Sequence, residues 1–152
     1  MTVSVFVENR TDRRGVPLRR SFQRWLDAIP QLRRRRSAEL AIVIVGAADG
    51  RDFNRRYRGR DYATNVLSFP YQRLPGDRCG LLGDLVLCAP VIAREARAQG
   101  KRARDHYAHL TIHGVLHLLG HDHEDDAQAQ RMEALERRIL ASLGIADPYR
   151  EQ

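Results

Sequence analysis

The 152 residues, 43% hydrophobic and 30% charged, are enough to close one core without disulfide staples, which sets aside fibrous, disordered and disulfide-framework classes. A formal net charge of +7 calls for an anionic partner, nucleic acid first. Lys101 is the single lysine among 26 basic residues, a bias that a GC-rich genome would also produce, so charge alone does not decide the partner.

No run approaches the roughly 18 apolar residues of a membrane span, and MTVSVFVENR is too short and too strand-like for a signal peptide. Cys79 and Cys88 stand in no CxxC spacing, which makes a cytoplasmic setting the default. In chain order, Thr2 to Glu8 alternate as a strand does. Residues 11–16 form a loop, and Pro17 suits the first turn of a helix carrying Phe22, Trp25, Leu26 and Ile29. That helix ends by Pro30, and QLRRRRS is a polar connection. Glu39 to Val45 is a buried strand. Asp49 is placed to cap a short helix reaching Tyr57.

Gly59 and Asp61 mark a turn in the segment that follows. Val66 to Phe69 is a short strand stopped by Pro70, Leu74 to Gly80 a Pro/Gly loop, and Leu82 to Cys88 another strand. Pro90 opens a helix that Gly100 ends. A longer helix covers Arg102 to Leu119, and a last one Asp126 to Leu143. The expectation is an α+β fold over residues 1–152, a single metal-dependent hydrolase domain. It holds a mixed sheet of about four strands with about five helices packed on it.

The chemistry gathers in HGVLHLLGHDH, residues 113–123. His113 and His117 are four apart and share one helix face. Gly120 permits a sharp turn that returns a third imidazole to the same ion. Three protein ligands with one position left open are the arrangement of a catalytic zinc. His109 continues the face, but it lies eight residues from His117, about 12 Å along the axis. It therefore belongs outside the ligand set, as a second-layer, substrate or packing residue. Spacing leaves His121 a rival to His123 for the third ligand. Peptidase zincins carry glutamate directly after the first histidine; here that position is Gly114, which removes their general base and a side chain that would narrow the cleft.

Together, HGVLHLLGHDH, YRGRDYATNVLSFP and the GDLVL strand resemble the YbeY family of bacterial ribosomal-RNA maturation endoribonucleases, over roughly residues 40–140. The resemblance implies an α+β fold with one Zn2+ held by His113, His117 and His123, and an arginine, Arg58, at the rim of the metal cleft. Position 121 is commonly tyrosine in that family, so His121 is a departure. The resemblance also implies cleavage of single-stranded RNA, with ribosomal RNA as substrate and small-subunit components as further partners.

On this reading zinc lowers the pKa of a water or polarises a phosphate oxygen. The Arg58 guanidinium matches phosphate geometry, unless it is engaged in an ion pair with Asp52 or Asp61. Arg58 and His113 are thus the catalytic expectation. Asp84 is a candidate to orient a zinc ligand or the YRGRD loop, and His121 and Asp122 are candidates to move a proton. Two alternatives stand beside this: a zinc hydrolase of another substrate class, and a non-catalytic, zinc-stabilised ribosome assembly factor.

Overall fold

The structure is a computed structural model, and it describes residues 3–35, 37–72 and 80–150. Its four strands are β1 (Val3–Asn9), β2 (Ala38–Val45), β3 (Val66–Pro70) and β4 (Leu81–Cys88). The helices are α1 (Arg19–Asp27), α2 (Pro30–Arg33), α3 (Ala47–Arg58), α4 (Ala89–Ala98), α5 (Ala103–Leu118) and α6 (Asp126–Ser142). The sheet runs β1-β2-β4-β3. The first three strands in that order are parallel and β3 is antiparallel to β4, which is the mixed sheet expected.

Alternation along the strands divides the interior into two parts. Leu40, Ile42 and Ile44 of β2, with Leu85 and Leu87 of β4, join Phe22, Trp25 and Leu26 of α1 and Ile112, Val115 and Leu116 of α5. The intervening Val45, Val86 and Cys88 form a smaller cluster with Leu67 and Val91, against which Phe53 of α3 packs. The run AIVIV is apolar throughout because both faces of β2 are covered. Helix α5 therefore lies along one face of the sheet, and α3 lies on the other.

Three local expectations are corrected. QLRRRRS is not merely a polar connection: Pro30 opens the four-residue α2, whose Leu32 is fully buried. This sixth helix escaped because one apolar residue in a basic run carries no periodicity. Asp49 does not cap α3; Gly46 holds that position and Asp49 sits in the first turn, where its charge still favours the positive end of the helix dipole. Helix α1 begins at Arg19, with Leu18 rather than Pro17 at its boundary. The Pro/Gly loop of residues 74–80 lies, up to residue 79, outside the described residues, as does Cys79.

The end of α5 is what places the third histidine. Gly120 takes φ = 100°, a conformation that costs glycine nothing. Its N–H donates to His117 O at 3.0 Å, and His121 N–H reaches back to Leu116 O at 3.0 Å. The chain thereby doubles back over the last turn of α5. Asp125 then caps α6 by accepting from Gln128 N–H at 2.7 Å.

Candidate metal centre

Helix α5 presents His113 and His117 side by side, with ring centroids 4.7 Å apart. The turn at Gly120 brings His123 to 4.9 Å from His117 and 5.8 Å from His113. One nitrogen from each ring lies within 4.8 Å of the others. Ligands about 2.1 Å from a tetrahedral zinc lie about 3.4 Å from one another, so small side-chain adjustments close the three rings on one ion. Among the described residues this group has no fourth protein donor. His121 is not part of the group, and its backbone serves the turn instead.

The protonation chemistry suits ligation. Burial, together with the neighbouring charges of His113 and His123, pushes His117 below its ordinary pKa; this favours the neutral imidazole that a metal needs. His113 Nδ1 is hydrogen-bonded to Glu136 Oε1, leaving Nε2 for an ion. Asp122 accepts the His123 backbone N–H at 2.7 Å and approaches its ring Nδ1 at 3.4 Å. That backbone hydrogen bond is the main reason the Asp122 carboxyl lies below the usual range. Asp122 thus steadies the His123 turn.

Glu136 was not legible as part of the site. It is fully buried on α6 and meets His113, Tyr149 and His109, the last at 3.4 Å. Burial alone would raise its pKa, but hydrogen bonds from His109, His113 and Tyr149 outweigh that and bring it to about 2. A signal did exist in the sequence: Glu136 occupies the apolar face of α6 marked by Met132, Ile139 and Leu140. A carboxylate on a core stripe needs a partner. His109 is held by this carboxylate at 3.4 Å and by the Tyr149 hydroxyl at 3.2 Å.

His113, His117 and His123 line a cleft of about 530 Å³ together with Arg58, Asn65 and Ser68. Arg58 forms no ion pair with Asp52 or Asp61: Asp61 is taken by Arg51 at 2.7 Å and Asp52 by Arg55 at 2.9 Å. Instead, Arg58 Nη2 donates to Ser68 O at 2.8 Å, and the guanidinium lies 5.3 Å from the Phe69 ring centroid. Ser68 Oγ donates in turn to Gly114 O at 3.3 Å, tying the strand that holds Arg58 to the helix that carries His113 and His117.

Asp84 does not reach the histidines. It is exposed on β4, paired with Phe69 across the strands, and lines a separate groove with Phe53 and Tyr57 on the α3 face. Alternation explains this, since its neighbour Leu85 is the residue that faces α5. Gly114 also has a packing role: a Cβ there would stand 2.8 Å from Leu85 Cδ2 and 3.2 Å from Ser68 Oγ. Its missing side chain lets α5 approach the sheet.

The family model described as Endoribonuclease YbeY matches residues 6–144. The chain belongs to the YbeY family. It is 58% identical over 151 residues to the Endoribonuclease YbeY of Stenotrophomonas maltophilia (strain R551-3), covering 97% of this chain and 93% of that protein. It is 57% identical over 141 residues to the Endoribonuclease YbeY of Alkalilimnicola ehrlichii, covering 91% of this chain and 85% of the relative. The fold is similar to the solution structure of TM1509 from Thermotoga maritima. The TM-score is 0.59 at 17% identity, covering 99% of this chain and 100% of that one.

Proposed function

We propose that this YbeY-family chain is a zinc-dependent endoribonuclease that cleaves single-stranded RNA, acting in the cytoplasm on ribosomal RNA during maturation and quality control of the small subunit. The observation that carries the reading is one cleft lined both by three converging imidazoles and by a guanidinium that, among the described residues, has no carboxylate partner. His113, His117 and His123 would hold the ion, and zinc in such a set supplies Lewis acidity toward a phosphodiester.

The chain's own residues divide the remaining work. Arg58 faces the charge that gathers on the non-bridging oxygens, and its planar fork fits them better than a point charge would. The Ser68 carbonyl and the Phe69 ring hold that guanidinium at the rim. Glu136 accepts from His113 Nδ1 and so fixes which nitrogen of that ring is free to ligate. Asp122 braces the turn that carries His123. A peptidase reading finds no support at position 114, where the space beside the helix is taken by Leu85.

The test is cleavage of a defined single-stranded RNA, with its duplex as control, by zinc-free protein, zinc-restored protein and His113→Ala. Cleavage of the single strand that disappears with zinc, returns with it and is absent in His113→Ala is expected. Activity that survives in His113→Ala overturns the assignment.

A further inference from the structure

The family model ends at residue 144, yet Tyr149 projects from beyond that point into the wall of the metal cleft. Its hydroxyl donates to Glu136 Oε2, while the other oxygen of the same carboxylate accepts from His113 Nδ1. We propose that the C-terminal tail, through Tyr149 acting on Glu136, is a positioning element of the metal centre that sets the tautomer and orientation of His113. The proposal rests on the reading of His113, His117 and His123 as metal ligands.

The argument starts from the burial of Glu136. A carboxylate with no solvent exposure must have its lone pairs satisfied by protein donors. Oε1 takes the His113 N–H; Oε2 takes the Tyr149 O–H, with His109 Nε2 at 3.4 Å. A ring that donates from Nδ1 to a carboxylate carries its free lone pair on Nε2, and the carboxylate makes that lone pair a stronger ligand. Removing the phenol frees one corner of the carboxylate, which can then rotate or draw in water. The His113 bond shares that carboxylate and must follow.

The tail is built to keep the phenol in place. Arg137, adjacent to Glu136 on α6, donates to Asp147 Oδ1 at 3.2 Å and lies 5.3 Å from the Tyr149 ring centroid. Asp147 Oδ1 also accepts the Tyr149 backbone N–H at 2.8 Å. His109 also packs against the ring, edge-on, with centroids 5.3 Å apart. One helix thus supplies both the carboxylate and the arginine that secures the tail. His109, His113 and Glu136 also come close enough to be considered as a second ion site. The tyrosine and histidine hydrogens on both Glu136 oxygens account for that cluster without a second ion.

The experiment measures zinc stoichiometry and affinity by competition with a chromogenic chelator, for the wild type, Tyr149→Phe and Glu136→Gln. Imidazole tautomers are read alongside by long-range 1H–15N spectra of the zinc-free proteins. One zinc per wild-type chain is expected. Tyr149→Phe should bind it roughly 10-fold more weakly, the scale on which groups orienting a ligand act. Its His113 resonances should leave the Nδ1–H pattern while those of His117 stay. Tyr149→Phe removes one oxygen, so it carries the test even where Glu136→Gln does not fold. Unchanged affinity with unchanged His113 resonances overturns the proposal and leaves the metal centre standing. Two zinc ions per wild-type chain, one of them lost in Glu136→Gln, overturn it in favour of a second site. A wild type that binds no zinc overturns the metal centre itself and the proposal with it.

Discussion

Arg58→Ala separates stability from chemistry at this site. The side chain is exposed, with charged hydrogen bonds of 2.8 Å to Ser68 O and 3.4 Å to Tyr57 O and a guanidinium 5.3 Å from the Phe69 centroid. A surface cation–π contact is worth about 0.5–1 kcal/mol, and the exposed hydrogen bonds, the longer one adding little, together about 0.5–1 kcal/mol after solvent screening. Loss of both should cost about 1–2 kcal/mol of folding stability. The proposed role, a guanidinium facing charge that develops only as the phosphodiester reacts, calls for a larger catalytic loss: about 100-fold in kcat, equivalent to about 2.7 kcal/mol. Urea unfolding, zinc titration and single-stranded RNA cleavage on one preparation check this. Zinc affinity should match the wild type, and Arg58→Lys should remain roughly 10-fold below it in cleavage, since lysine keeps the charge and loses the fork. Cleavage by Arg58→Ala within about threefold of wild type, under about 0.7 kcal/mol, would refute the role given to this residue.

Gly114→Ala should cost about 1–3 kcal/mol by overpacking, because its Cβ would meet Leu85 Cδ2 at 2.8 Å and Ser68 Oγ at 3.2 Å; calorimetry should show the fall in Tm, and an unchanged Tm would mean that Leu85 moves aside freely. His121→Ala and Asp84→Asn should bind zinc as the wild type does, since neither side chain belongs to the histidine group; a weakened affinity in either would require a different ligand set. His106 is buried against Glu95 at 2.9 Å, and burial holds its pKa below the ordinary 6.5. The unfolded chain therefore takes up this proton first, so the stability His106 contributes is present above pH about 6.5 and declines as pH falls below it. Urea midpoints measured from pH 7 to pH 5 should fall less steeply for His106→Gln than for the wild type. Parallel slopes would contradict the assignment.

Local patterns in the chain carried much of this. Period-two alternation in VSVFV and the doubly apolar AIVIV mark strands because side-chain direction follows directly from backbone pleat. The i, i+4 spacing of His113 and His117, followed by Gly120, determines a shared face and a reversal, since helix pitch and the cost of positive φ are properties of the chain itself. Helix rise alone set His109 apart from His117.

Contacts between distant segments could not be read in this way. His121 and His123 both follow Gly120, and only the path of the doubled-back chain brings His123 to the other two rings. Asp84 stands in a conspicuous motif, but strand alternation turns it to the far face of the sheet. Arg58 had carboxylates close in sequence, yet Asp52 and Asp61 pair with other arginines and leave the guanidinium to the cleft. Glu136 and Tyr149 lie 23 and 36 residues beyond His113 in the sequence. They enter the site because α6 packs on α5 and the tail folds back over both. Burial then makes the Glu136 carboxylate depend on those hydrogen bonds, and only the tertiary structure supplies that burial.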